Sequence, residues 1–209
     1  MKGNRDLSGQ AGYLATDTSK MTDAEVAKAL SSFLAEIERR AFVMARIAVR
    51  EEADALDIVQ DAMMQLVKNY ASHPPGEWRP LFYRILNNRI NDFFRRKKVR
   101  DKVMAWLPGF NQLDHEDELD PLQLIAEERS DEPDVHLERQ QNLEAITEAV
   151  ATLPKRQREA FMLRCWEGFS TEETALAMQC SEGSVKTHYS RAMTSLRTSL
   201  ENLSFEDHS

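Results

Sequence analysis

Apolar residues return along this chain at helical spacing. Thr22 followed three residues later by Glu25 has the form of a capping box. After it Val26, Leu30, Phe33, Leu34, Ile37, Phe42 and Met44 recur every three or four positions, which predicts a helix to about Val49. A second helix is predicted from about Glu52 to Tyr70, with Leu56, Val59, Met63, Leu66 and Val67 on one face. Residues 71–77 (ASHPPGE) read as a loop, because two prolines and a glycine disfavour a continued helix. A third helix is predicted from near Trp78, with Trp78, Leu81, Phe82, Ile85 and Phe93 as its apolar stripe. Tyr83, Arg84, Asn87, Asn88, Asn91 and Arg95 fall off that stripe.

From about Val103 to Arg139 the periodicity fades, and Pro108, Gly109, Pro121 and Pro133 interrupt it. A stretch of that length is too long for an ordinary loop within one compact domain. It reads as an interdomain linker, with a short helix expected near Leu122 to Glu128. Helical spacing resumes from Gln141 to Leu153. Pro154 then opens a helix to about Glu167, which Gly168 ends. Ser170 caps a short helix to about Met178, residues 179–181 turn, and a last helix runs from Glu182 to about Leu203. A short helix, a tight turn and a longer helix is the helix-turn-helix pattern. The expected fold is all-α. Two small helical domains, 21–102 and 140–203, are joined by an acidic flexible linker at 103–139. Residues 1–20 are expected to form a disordered extension and 204–209 a tail.

Charge changes this picture. The net charge of the 209 residues is −8, which by itself argues against a nucleic-acid partner. Residues 79–102, however, hold nine basic and two acidic residues, while 103–140 hold eleven acidic and two basic. A third of the basic residues thus form one footprint suited to a polyanion. On charge alone, a solvated helix face beside an acidic linker explains the counts equally well. No run of 18 apolar residues exists, so no membrane insertion is expected. Cys165 and Cys180 are too few for a disulfide framework or a four-ligand zinc site and read as buried small hydrophobes. The five histidines are scattered and no phosphate loop or nucleophile motif is present, so no catalytic residue, metal or cofactor is expected.

Two groups of residues remain as candidates for chemistry. The last helix begins Glu182-Gly183-Ser184-Val185-Lys186-Thr187-His188-Tyr189-Ser190-Arg191. In a helix-turn-helix the second helix enters the major groove by its N-terminal end. Lys186, Thr187, Ser190 and Arg191 are placed to reach bases or phosphates. A plain helical bundle with a polar outer face would carry the same pattern. In the third helix aromatic residues interleave with basic ones, an arrangement that supports unstacked bases while tracking a phosphate backbone. Tyr83 and Asn88, off the apolar stripe, are the better candidates for base contact; the rest of the aromatics fit a core equally well.

The order of these parts resembles the extracytoplasmic-function sigma factors of the bacterial sigma-70 family. Ala55 to Ala62 (ALDIVQDA), Tyr83 to Asn88 (YRILNN) and Asp92 to Arg96 (DFFRR) look like region 2. Leu153-Pro154, Gln157-Arg158-Glu159, Leu163-Arg164, Glu167 to Ser170 (EGFS), Glu173-Thr174-Ala175 and Gly183 to Lys186 (GSVK) look like region 4. The resemblance implies a promoter-specificity subunit without catalytic residues of its own. Its partners would be core RNA polymerase, through the clamp helices of the largest subunit and the flap, promoter DNA and an anti-sigma factor. Asp57, Gln60 and Asp61 would dock on polymerase. Tyr83, Arg84, Asn88, Asn91, Arg95 and Arg96 would engage the melting −10 element, holding a flipped base. Arg164, Ser184, Lys186, Thr187, His188, Ser190 and Arg191 would read the −35 element as duplex. About 17 base pairs between elements require roughly 60 Å, which a linker of about 35 residues spans easily. Such a protein would be cytoplasmic, and nucleoid-associated in the holoenzyme. A stand-alone helix-turn-helix regulator is the alternative; it needs no region 2. Thr174, where relatives carry an aliphatic residue, and Leu81-Phe82, where they carry Trp-Leu, depart from the pattern.

Overall fold

The structure is a computed structural model that describes residues 22–104 and 145–206. The expected N-terminal extension, nearly all of the linker and its short helix lie outside the described residues. So do the tail residues from 207 onward. Every regular element among the described residues is helical. Helix α1 spans Asp23–Val49, α2 spans Glu52–Tyr70 and α3 spans Pro75–Met104. Residues 145–152 form α4. Helix α5 spans Lys155–Phe161 and runs into a π-turn at Met162–Trp166. Helices α6 and α7 span Thr171–Met178 and Glu182–Glu206.

Local chemistry explains most of the helix ends. Thr22 accepts from the Glu25 amide while the Glu25 carboxylate accepts from the Thr22 amide, closing the expected capping box. Ser170 and Glu173 do the same for α6. α1 stops at Arg50, which takes the left-handed conformation and donates its amide to the Arg46 carbonyl. α3 starts three residues before the expected Trp78. Pro75 sits at its first position, where a missing N–H costs nothing and the fixed φ suits a helix. The Trp78 indole then donates to the Tyr70 carbonyl at 3.1 Å, tying the start of α3 to the end of α2.

The N-terminal core forms where α1, α2 and α3 meet. Ala41, Val43, Ala55, Ala62, Leu66, Phe82 and Leu86 are fully enclosed there. Phe33 packs on Trp78 and Phe82 with ring centroids 5.9 and 6.5 Å apart. Leu56 and Val67, expected on the buried face of α2, are instead largely exposed, because α1 and α3 cover only the arc centred on Ile58, Ala62 and Leu66. In the C-terminal part Ala160, Leu163, Ala177, Val185 and Ala192 form the bundle seam. Thr174 is fully buried there and donates its hydroxyl to the Ser170 carbonyl. The two parts are packed together in the chain as it stands, and their buried residues form one continuous cluster.

The cap that starts α6 gives a direct test. Ser170→Ala is expected to lower stability by about 1 kcal/mol in a urea melt with the slope unchanged. A loss below a few tenths would show that the α6 amides find another partner.

Candidate nucleic-acid interface

Helix α7 has one packed face and one exposed polar face. Val185, Ala192 and Leu196 are buried on one side, and Lys186, Thr187, Ser190 and Arg191 are exposed on the other. The Ser181 hydroxyl accepts from the Ser184 amide at 3.2 Å, capping the start of the helix. Ser184 and His188 are half-buried at the edge of the exposed face.

Arg164 stands beside this face, although its guanidinium is engaged. It donates to the Phe169 carbonyl and lies over the Tyr189 ring at 5.9 Å from the centroid. The Cys165 thiol, expected to be buried, is exposed within the π-turn and lies 3.2 Å from the Tyr189 hydroxyl. Cys180 is half-buried.

On α2, Asp57, Gln60 and Asp61 are all exposed, and Leu56, Met64 and Val67 lie exposed beside them. Asp61 also holds Arg89 of α3 at 3.7 Å. On α3, Asn88, Arg95 and Arg96 are exposed and Asn91 is half-buried; Arg95 pairs with Asp92 at 3.1 Å. Arg84 donates to the Tyr70 hydroxyl at 3.2 Å and lies over that ring.

Tyr83 departs from expectation. Periodicity places it off the stripe that faces α1 and α2, yet it is completely buried. Its second cover comes from the C-terminal part. Phe169 meets it edge-on at 5.4 Å, and Phe82 meets it at 5.3 Å. Arg79, one turn before Tyr83, lies over the Phe169 ring, 5.1 Å from its centroid. Arg79 also donates to the Glu167 carbonyl at 2.7 Å and to its carboxylate at 3.1 Å. The Glu167 side chain is wholly enclosed, and Arg40 of α1 approaches the same oxygen at 3.9 Å. Burial, then the neighbouring Glu167 carboxylate, holds the Tyr83 phenol well above the ordinary tyrosine range.

The path from α5 to α6 produces this geometry. The π-turn lets the Glu167 amide bond back to Met162, and Gly168 takes φ +68 with space around its Cα. The Phe169 amide then reaches the Leu163 carbonyl, which aims Glu167 and Phe169 at α3. Farther along the same seam, Asn87 and Asn91 line a cavity of about 20 Å³ with Arg158, Glu159 and Met162. The Asn87 Nδ2 and Asn91 Oδ1 atoms are buried there without a protein partner.

With the geometry established, comparison with known proteins settles the family. The descriptions "Sigma-70 region 2" and "Sigma-70, region 4" match residues 24–100 and 143–196. The chain belongs to the sigma-70 family. It is 31% identical over 158 residues to the RNA polymerase sigma-E factor of Streptomyces avermitilis, covering 76% of this chain and 77% of that one. It is 28% identical over 166 residues to the ECF RNA polymerase sigma factor EcfG of Rhodopseudomonas palustris, covering 75% and 76%. The sigma factor RpoE of Bartonella quintana, solved with the anti-sigma factor NepR, has the same fold. That likeness has a TM-score of 0.58 and 23% identity over 85% of this chain and 95% of that one. The chain is therefore an RNA polymerase sigma factor of the extracytoplasmic-function kind. No helix among the described residues is long and apolar enough to cross a membrane.

Glu159 supplies a pH test of the seam. Its carboxyl is raised above the ordinary range by burial, against the pull of Arg156, which donates to it at 3.0 Å, and of Lys155 and Arg158. The folded chain therefore binds this proton more tightly than the unfolded chain. Its contribution falls as pH rises from the ordinary carboxyl range through the raised folded value. In Glu159→Gln that dependence should vanish. The stability of the wild type relative to the variant should decline with rising pH in urea melts; a pH-independent difference would contradict the assignment.

Proposed function

We propose that this sigma factor docks on core RNA polymerase through Asp57, Gln60 and Asp61 of α2. It engages the melted −10 element through α3 and reads the −35 duplex with α7. The observation that carries this reading is the exposed row Lys186, Thr187, Ser190 and Arg191 on a helix whose opposite face is fully packed. Arg164 and His188 flank that row and Ser184 opens it. On α3, Arg84, Asn88, Asn91, Arg95 and Arg96 are at least partly accessible, in the segment with the highest basic density. Tyr83 joins them once its cover is removed. The likeness to a sigma factor solved with NepR supports an anti-sigma partner. Exposed Leu56, Met64, Val67, Leu176 and Met193 offer it apolar surface on both parts of the chain. In the holoenzyme the protein would sit on the nucleoid in the cytoplasm.

With a net charge of −8, the free chain is expected to bind duplex DNA weakly, and polymerase to supply most of the affinity. The experiment is reconstitution with core RNA polymerase, followed by sequencing of the transcripts initiated on genomic DNA. A stable complex with a shared pair of upstream elements is expected. Lys186→Ala and Arg191→Ala should each weaken −35-dependent initiation by about 5- to 150-fold if they contact bases, corresponding to ~1–3 kcal/mol. Alanine at Asp57, Gln60 and Asp61 together should weaken the polymerase complex itself. Tight promoter binding without polymerase would instead identify a stand-alone regulator.

A further inference from the structure

We propose that the groove between the start of α1 and the end of α2 is a docking site for this chain's own residues 1–21, with Tyr13 and Leu14 as the seated side chains.

The shape of the groove comes from two helices that diverge. Val26, Leu30 and Leu34 follow one another at a spacing of four along α1. Val67, near the end of α2, and Ala71, in the turn after it, line the opposite wall. The space between them is about 620 Å³, within the range of sites that enclose a whole ligand. Leu30 belongs to the core, whereas Val26 and Leu34 are only partly covered and Val67 is 44% exposed. An open apolar stripe with a polar rim marks a contact surface.

The place where the chain enters selects the occupant. Asp23 is both the first residue of α1 and part of the groove lining, so the residues before Thr22 arrive at the mouth of the groove. Tyr13 and Leu14 form an adjacent pair of large apolar residues in that segment, and residues 16–20 (TDTSK) tie them to α1 through polar positions. The eight steps from Leu14 to Thr22 reach up to roughly 26 Å when extended. Val26 to Leu34 spans only about 12 Å along the helix axis. Tyr13 and Leu14 can therefore fold back over the whole stripe. A tether this short holds them at an effective concentration on the order of millimolar, against which an outside partner must compete.

Charge favours the same pairing. Residues 1–21 hold three basic and two acidic residues, while residues 22–38 hold four acidic and one basic. This attraction orients the arm, and burial of the two apolar side chains supplies the affinity. Val67 follows Gln60 and Met64 at helical spacing, so the seated arm borders the row proposed above to meet polymerase.

The test uses the full chain with Cys165→Ser and Cys180→Ser, isotope-labelled Leu and Val methyl groups, and a nitroxide at Ser8→Cys. Relative to the reduced label, broadening should concentrate on the methyls of Val26, Leu34 and Val67. Tyr13→Ser together with Leu14→Ser should lower the docked-to-free ratio at least about tenfold and remove that broadening. Ala27→Arg, at an exposed position of the groove lining, should do the same with helix content by circular dichroism unchanged. The broadening should persist on dilution, as an intramolecular contact does. Broadening that fades on dilution would assign the groove to a second copy and overturn the proposal. Groove methyls that ignore the Tyr13 and Leu14 changes, yet shift when core polymerase is added, would assign it to polymerase; the proposal would fall and the sigma reading would stand. A chain that shows the docked arm but never binds polymerase would leave the proposal standing and overturn the functional reading.

Discussion

One carboxylate organises the meeting of the two parts of this chain. Glu167 is carried out of α5 by the π-turn and held in place by the left-handed Gly168. It is wholly enclosed, with Arg79 at 3.1 Å and Arg40 at 3.9 Å. An uncompensated charge there would be strongly destabilising, so the position of Arg79 is fixed once Glu167 is buried. Arg79 in turn fixes Phe169 against its guanidinium, and Phe169 closes over Tyr83. This chain of contacts joins α1 and α3 to the segment before α6 and covers Tyr83 of the basic helix.

The same arrangement shows what sequence pattern resolves. The capping box at Thr22, the cap at Ser170, the end of α1 at Val49, the span of α2 and the turn before Glu182 were legible, because each depends on neighbours within four residues. The start of α3 was not, since Pro75 serves as a first helical residue as readily as a loop residue. Nor was the π-turn, which replaces α-geometry without changing composition. Tyr83 is the most instructive case. Periodicity describes only the face turned to α1 and α2, and Tyr83 is buried by a ring 86 positions later in sequence. Its burial, the Arg79–Glu167 pair and the unpartnered asparagines belong to a seam between distant segments. No spacing rule reports such a seam. Glu167 to Ser170 was visible as a motif, but its partner on α3 was not.

The charge distribution takes on physical sense in this frame. On the function proposed above, the overall acidity would keep the free chain off DNA, and the basic residues of α3 and the α7 face would offer local complementarity at a promoter. The apolar residues left exposed on α2 and α6 are unusual for a surface that meets only water. They lie beside Asp57, Gln60 and Asp61 on one part, and at Leu176 on the other. The exposed surface therefore offers sites for protein partners, whereas the seam between the two parts is satisfied only in part.

Small-angle scattering of the free, unlabelled chain tests the central claim most directly, because it reads the arrangement of the two parts without altering any residue. With the two parts packed together, the distance distribution should show a single maximum, as for one body. Two separated bodies should instead give a second maximum or a long shoulder. The compact result is the one expected here; the extended one would show that the Glu167 contact does not hold the chain together in solution.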